Sequence, residues 1–284
     1  MSSTELFGAD IAFPLWDSEP VAGAFDLEQP SGPIDQAVAT KVTRPWLFGY
    51  KPTTTPNGRA VVILGGGGYV QLMVGREGVQ VARWLAGLGF EAYVLVHRFP
   101  TAESSPSAPV DDARQALRLI KEKSADGKTL GVCGLSSGGH LGAALLAEYP
   151  SAWSSTAGGP VPELEFAILG YGPISTNAKG HTIIPNKAAL EPPEKQELYD
   201  VVIPDQQLRS PAPPSFIVYS GNDPIVPVVN AYRLAQGIQA AEGPVELHVF
   251  ADAPHGFALD TVGLPVSEWP KLCESWLKQR GILA

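Results

Sequence analysis

The chain has 284 residues and a formal net charge of −9, from 29 acidic and 20 basic side chains. This charge disfavours nucleic acid or an anionic membrane surface as a partner, because both are bound by basic faces. Apolar residues make up 44% of the chain, which is enough for a large core. No apolar run approaches the length of a membrane span. We therefore expect a soluble protein without nucleic-acid or membrane partners.

The cysteines and the N-terminal residues bear on the cellular compartment. Cys133 falls in a predicted buried strand and Cys273 in the last predicted helix, so we expect no disulfide framework. Residues 1–16 contain no Lys or Arg and no long apolar core, which is unlike a secretory signal. The expectation is a cytoplasmic protein, unless a signal has been removed.

The predicted elements begin with two strand candidates, 37–43 and 45–51, in a segment rich in Pro, Gly and acidic residues. From residue 60 onward, strands alternate with helices. The strands are predicted at 60–64, 91–96, 130–133, 166–169, 215–219 and 245–250. The helices are predicted at 75–88, 110–123, 137–147, 194–201, 226–238 and 267–280.

This alternation predicts an α/β fold with a doubly wound, mostly parallel sheet and helices on both faces. Near-continuous apolar strands such as 60–64 are typical of parallel sheets that are covered on both sides. The Pro-rich stretch 172–214 interrupts the rhythm, and we expect it to be a cap-like insertion over the active site. No linker divides the chain, so residues 1–284 are predicted to form one domain, with 1–58 as an N-terminal extension packing on the core.

The most informative motif is the run Gly134-Leu135-Ser136-Ser137-Gly138, which lies between a predicted strand and a small-residue helix. G-x-S-x-G in this context is the signature of a nucleophile elbow, a tight turn that exposes a serine hydroxyl above the sheet. A Cβ on either glycine would collide across such a turn. The motif predicts Ser136 as a nucleophile.

A serine nucleophile needs a general base and a carboxylate that orients the base. His255 follows the last predicted strand, from which its imidazole can reach Ser136. Asp223 follows the strand 215–219, at the end of a strand where ligand-facing groups collect. Asp252 is a rival acid, but it lies only three residues before His255, and Asp205 follows no clear strand. Of the remaining histidines, His140 and His248 are expected to be structural. His97 and His181 have no nucleophile nearby in sequence, and His181, in the segment 172–214, is only a possible pocket residue.

The glycine run Gly65–Tyr69 follows the strand 60–64, where an HGGG-type oxyanion loop belongs. We predict that the N–H groups of Gly66 and Gly67 and of Ser137, the residue after the nucleophile, stabilise the oxyanion of a tetrahedral intermediate. A phosphate-binding loop is the competing interpretation. The G-x-x-x-x-G-K-[ST] pattern is missing, however, and no acidic residue is placed for a ribose.

With these pieces in the order Ser, Asp, His, the chain resembles α/β-hydrolase-fold carboxylesterases, and more narrowly the acetyl-xylan and feruloyl esterase-like carbohydrate esterases. The resemblance is carried by five motifs: Phe13-Pro14-Leu15-Trp16, Leu64-Gly65-Gly66-Gly67-Gly68-Tyr69, the elbow through Leu141, Gly221-Asn222-Asp223-Pro224-Ile225-Val226-Pro227 and His255-Gly256-Phe257. The chain departs from that group over 172–214 and at Gly65, where Pro or His is usual.

The resemblance implies two-step acyl transfer from a small-molecule or carbohydrate ester, with an acetyl group as the expected acyl part. This chemistry needs no cofactor, and the sequence has no cluster of His, Cys and carboxylates with metal-ligand spacing. Candidate pocket residues are Tyr69, Met73, Tyr171 and Ile174.

Several other functions are compatible with part of this sequence pattern. A feruloyl esterase or a lipase-like esterase would share the motifs, although no long apolar lid segment is evident. A prolyl-oligopeptidase-type peptidase shares the Ser, Asp, His order but usually carries an additional propeller domain. A catalytically silent binding protein commonly lacks one of the three residues. A dienelactone-type hydrolase would use a cysteine nucleophile, and Cys133 lies three residues before Ser136, inside the predicted strand.

Overall fold

A computed structural model describes residues 5–16, 20–29, 31–123, 128–153 and 159–284 of the chain. Within these ranges, most of the sequence is organised around one eight-stranded sheet, and two further short strands pair with each other. In chain order the strands are β1 (Ile11–Pro14), β2 (Asp26–Leu27), β3 (Ala39–Thr40), β4 (Trp46–Tyr50), β5 (Arg59–Leu64), β6 (Glu91–Val96), β7 (Thr129–Leu135), β8 (Leu164–Gly170), β9 (Ser215–Ser220) and β10 (Val245–Phe250).

The large sheet has the order β1-β4-β6-β5-β7-β8-β9-β10. From β6 to β10 all neighbours are parallel, whereas β4 pairs antiparallel with both β1 and β6. The predicted mostly parallel sheet is thus confirmed. Because parallel strands end at one edge, the loops after β5, β7, β9 and β10 meet there, which is where open α/β sheets bind ligands.

Seven α-helices connect or flank these strands in the described part of the chain. They are α1 (Gln80–Gly87), α2 (Ala108–Lys123), α3 (Ser137–Ala144), α4 (Pro193–Val201), α5 (Pro204–Gln207), α6 (Val229–Ala240) and α7 (Trp269–Gln279). Residues 60–64 of β5 are all at most 1% exposed. Since alternate side chains of a strand point to opposite faces, both faces of the sheet must be covered. None of the helices in the described ranges is long and apolar enough to cross a membrane.

The segment before residue 59 takes a larger part in the sheet than we expected. Only 39–40 of the first predicted strand form β3, but β4 matches the second prediction closely. Sequence patterning missed β1, which pairs antiparallel with β4 over four residues. The described residues of 1–58 therefore supply an edge of the sheet, in addition to packing on the core.

The helix predicted at 75–88 is divided in two. A π-helical turn covers Val74–Val79, and α1 begins only at Gln80. Two glycines allow the π-helical turn to approach its neighbours closely: a Cβ on Gly75 would lie 2.4 Å from the Ile34 carbonyl oxygen, and one on Gly78 would lie 2.8 Å from the side chain of Val94. The turn thus packs against its neighbours at close range, and it carries Glu77 into the protein interior, where this residue is 3% exposed.

Candidate active site

Ser136 lies at the turn between β7 and α3, with φ 54° and ψ −124°. Such a conformation is strained for a residue with a side chain, and strain of this kind collects at functional sites. The flanking glycines explain how the turn closes. A Cβ on Gly134 would lie 2.1 Å from the Gly138 carbonyl oxygen, and one on Gly138 would lie 1.9 Å from that of Leu64. The backbone therefore has the shape expected of a nucleophile elbow.

The structure brings Ser136, His255 and Asp223 together in one hydrogen-bonded chain. Ser136 Oγ lies 2.8 Å from His255 Nε2, and His255 Nδ1 lies 2.7 Å from Asp223 Oδ2. The carboxylate can only accept, so His255 Nδ1–H donates to it and Nε2 is left to accept the Ser136 hydroxyl proton. This tautomer is the one that a general base needs.

Asp223 is fixed by its own loop as well as by the imidazole. Its side chain is fully buried, and Oδ1 accepts the N–H groups of Ile225 at 2.8 Å and Val226 at 2.9 Å. One carboxylate oxygen thus holds the turn while the other faces His255. The rival acid, Asp252, instead accepts a hydrogen bond from the side chain of Asn222.

The predicted oxyanion donors differ in what they contact. The Gly66 N–H, contrary to expectation, donates to Glu77 Oε2 at 2.6 Å, so a buried carboxylate already occupies this donor. Within the described chain the Gly67 N–H has no acceptor, and Gly67 and Ser137 both line the cavity at Ser136. Ser137 is the first residue of α3, where N–H groups have no intrahelical partner. Its Oγ also accepts the Gly68 N–H at 3.0 Å, which joins the elbow to the glycine loop.

Glu77 is the functional candidate that sequence reasoning missed. Besides the Gly66 N–H, its carboxylate accepts the Tyr171 hydroxyl at 3.0 Å. Burial raises the pKa of Glu77, and these two donors and the nearby His255 oppose that rise. Tyr171 Oη in turn accepts the Ala258 N–H at 3.2 Å. One carboxylate therefore links the oxyanion loop to the loop that carries the imidazole.

An open cavity of about 500 Å³ lies over these groups. Of the predicted pocket residues, only Met73 lines it. Tyr69, Tyr171 and Ile174 are instead at most 1% exposed and belong to the core. The cavity wall combines glycine-loop and elbow residues with residues from the expected insertion and from the loops of the acid and the base. These residues are Gly67, Gly68, Gln71, Met73, Arg76, Glu77, Ser136, Ser137, Pro173, Asn177, Lys187, Leu190, Lys195, Tyr199, Ile225, Val226, His255 and Gly256.

His140 and Cys133 lie near Ser136 without facing the cavity. His140 is fully buried, with Nδ1 at 2.8 Å from the Tyr69 hydroxyl and Nε2 at 2.9 Å from the Val202 carbonyl oxygen. Since a carbonyl only accepts, Nε2 carries the proton, and burial lowers the pKa of this imidazole to about 4. Burial also raises the pKa of the Cys133 thiol to about 12, which makes it a poor nucleophile.

The remaining histidines are engaged elsewhere. His97 is buried and bonds the Arg98 carbonyl, His248 on β10 bonds Glu246, and His181 bonds Gln206. Across the described ranges, no group of three or more His, Cys, Asp or Glu side chains is arranged to hold a metal ion.

The fold and the elbow geometry define a hydrolase-type scaffold, and comparison with known proteins agrees. A sequence profile of the family described as alpha/beta hydrolase fold matches residues 61–259, and the chain belongs to this family. The resemblance drawn from the motifs is thereby confirmed.

Two curated relatives match the chain, and one of them is named for ester chemistry. The chain is 28% identical over 214 residues to an acetylxylan esterase of Xylanibacter ruminicola, covering 72% of this chain and 42% of that protein. It is 26% identical over 227 residues to endo-1,4-beta-xylanase B of Butyrivibrio fibrisolvens, covering 76% and 35%. The chain thus spans less than half the length of these curated relatives.

Solved structures match over most of their length. An acetyl ester-xyloside bifunctional hydrolase of Caldicellulosiruptor lactoaceticus superimposes with a TM-score of 0.72 at 26% identity, covering 97% of this chain and 98% of that one. A carboxylesterase of Lactobacillus plantarum gives a TM-score of 0.69 at 22% identity, covering 85% and 94%. The second likeness supports the fold alone.

Proposed function

We propose that the protein is a serine carboxylesterase that hydrolyses short-chain acyl esters, acetyl esters above all, with a carbohydrate as the alcohol part. The observation that carries this proposal is the chain of two hydrogen bonds from Ser136 through His255 to Asp223, which opens onto the cavity. The relatives named as acetylxylan esterase and acetyl ester-xyloside hydrolase support the acyl group and the alcohol.

In the proposed reaction His255 accepts the Ser136 hydroxyl proton as Oγ attacks the ester carbonyl. The N–H groups of Gly67 and Ser137 stabilise the oxyanion of the tetrahedral intermediate, a contribution of about 3–4 kcal/mol per donor. Protonated His255 then gives its proton to the departing alcohol, and the acyl group remains on Ser136. Water attacks the acyl-enzyme with the same general base, which releases the acid and restores Ser136.

The cavity wall supports a polar alcohol part. Gln71, Asn177, Lys187 and Lys195 supply hydrogen-bonding groups, while Leu190 and Tyr199 supply apolar surface. Hydroxyl groups of a sugar need such donors and acceptors, because a polar group that enters a site without a partner costs binding free energy. A long acyl chain would need a wall that is apolar throughout.

The test is the rate of hydrolysis of a series of 4-nitrophenyl esters from acetate to octanoate, followed by acetylated xylan and a feruloyl ester. We expect acetate to be hydrolysed faster than octanoate, and Ser136→Ala to reduce turnover by on the order of 10⁴–10⁶. The variant should unfold at the same urea concentration as the unmodified protein, which excludes misfolding as the cause.

Two results would contradict parts of the proposal. Comparable rates on acetate and octanoate would favour the lipase-like alternative, and a higher rate on the feruloyl ester would favour the feruloyl esterase. If Ser136→Ala retains the full rate, Ser136 is not the nucleophile and the mechanism is wrong.

A further inference from the structure

The cavity over Ser136 is more cationic than the chain as a whole. The net charge of the protein is −9, yet the described residues that line this cavity include the cations Arg76, Lys187 and Lys195 and only one carboxylate, Glu77. A local reversal of sign in a cleft attracts ligands of the opposite charge.

Within the described chain, only Arg76 among these four charged groups forms an ion pair. Arg76 donates to Asp260 Oδ1 from Nε at 2.9 Å and from Nη2 at 2.6 Å, so its charge is neutralised at the cavity edge. Glu77 is buried in the cavity wall and its carboxylate receives the Gly66 N–H and the Tyr171 hydroxyl. The two lysines are therefore the cavity cations that have no carboxylate partner in the described chain.

Lys187 and Lys195 both come from the segment 172–214, and neither forms an ion pair within the described chain. Lys187 Nζ donates to the Thr176 carbonyl oxygen at 3.2 Å and to Asn177 Oδ1, which are both neutral acceptors. An ammonium group has three donors, so one remains for a ligand.

Lys195 has fewer hydrogen-bond partners than Lys187. It lies on α4, and its Nζ has no acceptor in the described chain. Burial and the neighbouring Lys187 charge both lower the pKa of Lys195. Nζ lies 3.8 Å from the position that a Cβ on Gly68 would take, which places it beside the oxyanion loop. A half-buried ammonium without a counter-charge is costly, and a bound anion would remove that cost.

We propose that Lys187 and Lys195 bind a carboxylate carried by the ester substrate, next to the ester that Ser136 attacks. This inference rests on the proposed esterase function and narrows its substrates to anionic esters. The carboxylate can belong to the alcohol half, as in an acetylated acidic sugar, which keeps the proposed acetyl group. It can instead belong to the acyl half, as in a monoester of a dicarboxylic acid, which would replace acetyl as the preferred acyl group. The lysines supply the same chemistry to either.

Two matched substrate pairs test the proposal and distinguish the halves. In the first pair, 4-acetoxybenzoate carries the charge in the alcohol half and 4-acetoxybenzamide is its neutral counterpart. In the second, 4-nitrophenyl hydrogen adipate carries the charge in the acyl half and 4-nitrophenyl methyl adipate is neutral. The measured quantity is the ratio of kcat/KM for the charged ester to kcat/KM for the neutral one.

Each of Lys187→Met and Lys195→Met should lower this ratio by about tenfold in one of the two pairs, the size expected for loss of one hydrogen bond to a charged group. Methionine keeps an unbranched side chain that is one atom shorter, without the charge. The control is Lys179→Met, which removes an exposed lysine on the same segment that is paired with Asp200 at 3.2 Å. It should leave the ratio unchanged. High salt should reduce the ratio in the unmodified protein.

If both lysine variants keep the ratios of the unmodified protein while 4-nitrophenyl acetate is hydrolysed, the anion site is wrong and the esterase function stands. If the unmodified protein hydrolyses no ester, the proposed function is wrong. In that case, calorimetric titration of the Ser136→Ala variant with 4-acetoxybenzoate and with the adipate monoester tests the anion site independently of catalysis. The anion site is supported if Lys195→Met weakens the binding of either ester about tenfold. It is overturned if Lys195→Met leaves the binding unchanged or if neither ester binds.

Discussion

Glu77 takes part in none of the chemical steps, but we expect it to affect turnover because its carboxylate holds the Gly66 N–H of the oxyanion loop. Two substitutions test this role: Glu77→Gln keeps the shape of the side chain, and Glu77→Ala removes it. The carboxylate accepts the Gly66 N–H at 2.6 Å and the Tyr171 hydroxyl at 3.0 Å. Hydrogen bonds to a charged group contribute about 1.5–3 kcal/mol each.

The structure separates the two variants. Glutamine retains one oxygen for the Gly66 N–H but presents an NH₂ group to Tyr171, whose oxygen already accepts the Ala258 N–H. The Tyr171 hydroxyl then lacks an acceptor, and we expect the free energy of unfolding to fall by about 1–2 kcal/mol. Alanine leaves both buried donors without acceptors, and we expect a fall of about 3–5 kcal/mol.

The effect on activity follows from geometry. The Gly67 N–H is one residue from Gly66, so loosening Gly66 displaces a proposed oxyanion donor. Misplacement of a catalytic group by about 1 Å can cost 10²-fold in rate. We expect Glu77→Gln to lower kcat on 4-nitrophenyl acetate by roughly 10–100-fold, with KM changed by less than about threefold, because the donor acts mainly in the transition state.

The assays are steady-state kinetics and urea unfolding of the same preparations. Glu165→Gln is the matched control, since Glu165 on β8 pairs with Arg59 at the start of β5, at the opposite end of the sheet from the cavity. This control should lose some stability and keep its kcat. If Glu77→Gln keeps the kcat of the unmodified protein, the position of the oxyanion loop does not depend on Glu77.

Three further substitutions, two of them with a matched control, test the acid, the oxyanion loop and a buried histidine. Asp223→Asn should lower kcat on the order of 10⁴-fold, since an amide can no longer hold the imidazole in the required tautomer. The control, Asp252→Asn, should keep kcat within a few-fold of the unmodified protein. Similar losses in both variants would contradict the assignment of Asp223 as the acid. Gly67→Ala should lower kcat by about 10²–10³-fold, because Gly67 has φ +131° and a Cβ would lie 2.1 Å from a backbone carbonyl oxygen. His140 has a pKa of about 4 in the fold against 6.5 when free, so the unfolded chain binds a proton first as the pH falls. The free energy of unfolding should therefore drop by about 3 kcal/mol between pH 6.5 and pH 4. In urea unfolding, His140→Gln should reduce this pH dependence, whereas the control His248→Gln should not. If His140→Gln leaves the pH dependence unchanged, His140 is not its source.

The sheet and the positions of the three candidate catalytic residues could be predicted from sequence because each leaves a local signal. Apolar runs mark the buried parallel strands, and Ser136, Asp223 and His255 stand directly after such runs in short motifs. The edge strand β1 leaves almost no signal, because it has only four residues and its side chains are partly exposed.

The oxyanion donor and the pocket depend on contacts between distant segments. The Gly66 N–H is occupied because the π-helical turn carries Glu77 to it, and no local pattern reveals that approach. Tyr69 and Tyr171 have φ of 62° and 35°, a backbone conformation that their local sequence does not reveal, and their side chains are buried in the core instead of lining the cavity. Lys195 reaches the cavity from α4, so its role depends on how the segment 172–214 packs.

Covalent labelling with diethyl 4-nitrophenyl phosphate examines whether Ser136 is an activated nucleophile. The reagent phosphorylates a serine whose proton a neighbouring base removes, and 4-nitrophenolate leaves. We expect intact-protein mass spectrometry to find one diethylphosphoryl group per chain, peptide mapping to locate it on Ser136, and esterase activity to be lost in proportion. His255→Ala should slow the labelling strongly. A label on another residue, or equal labelling of Ser136→Ala, would contradict the proposed reaction.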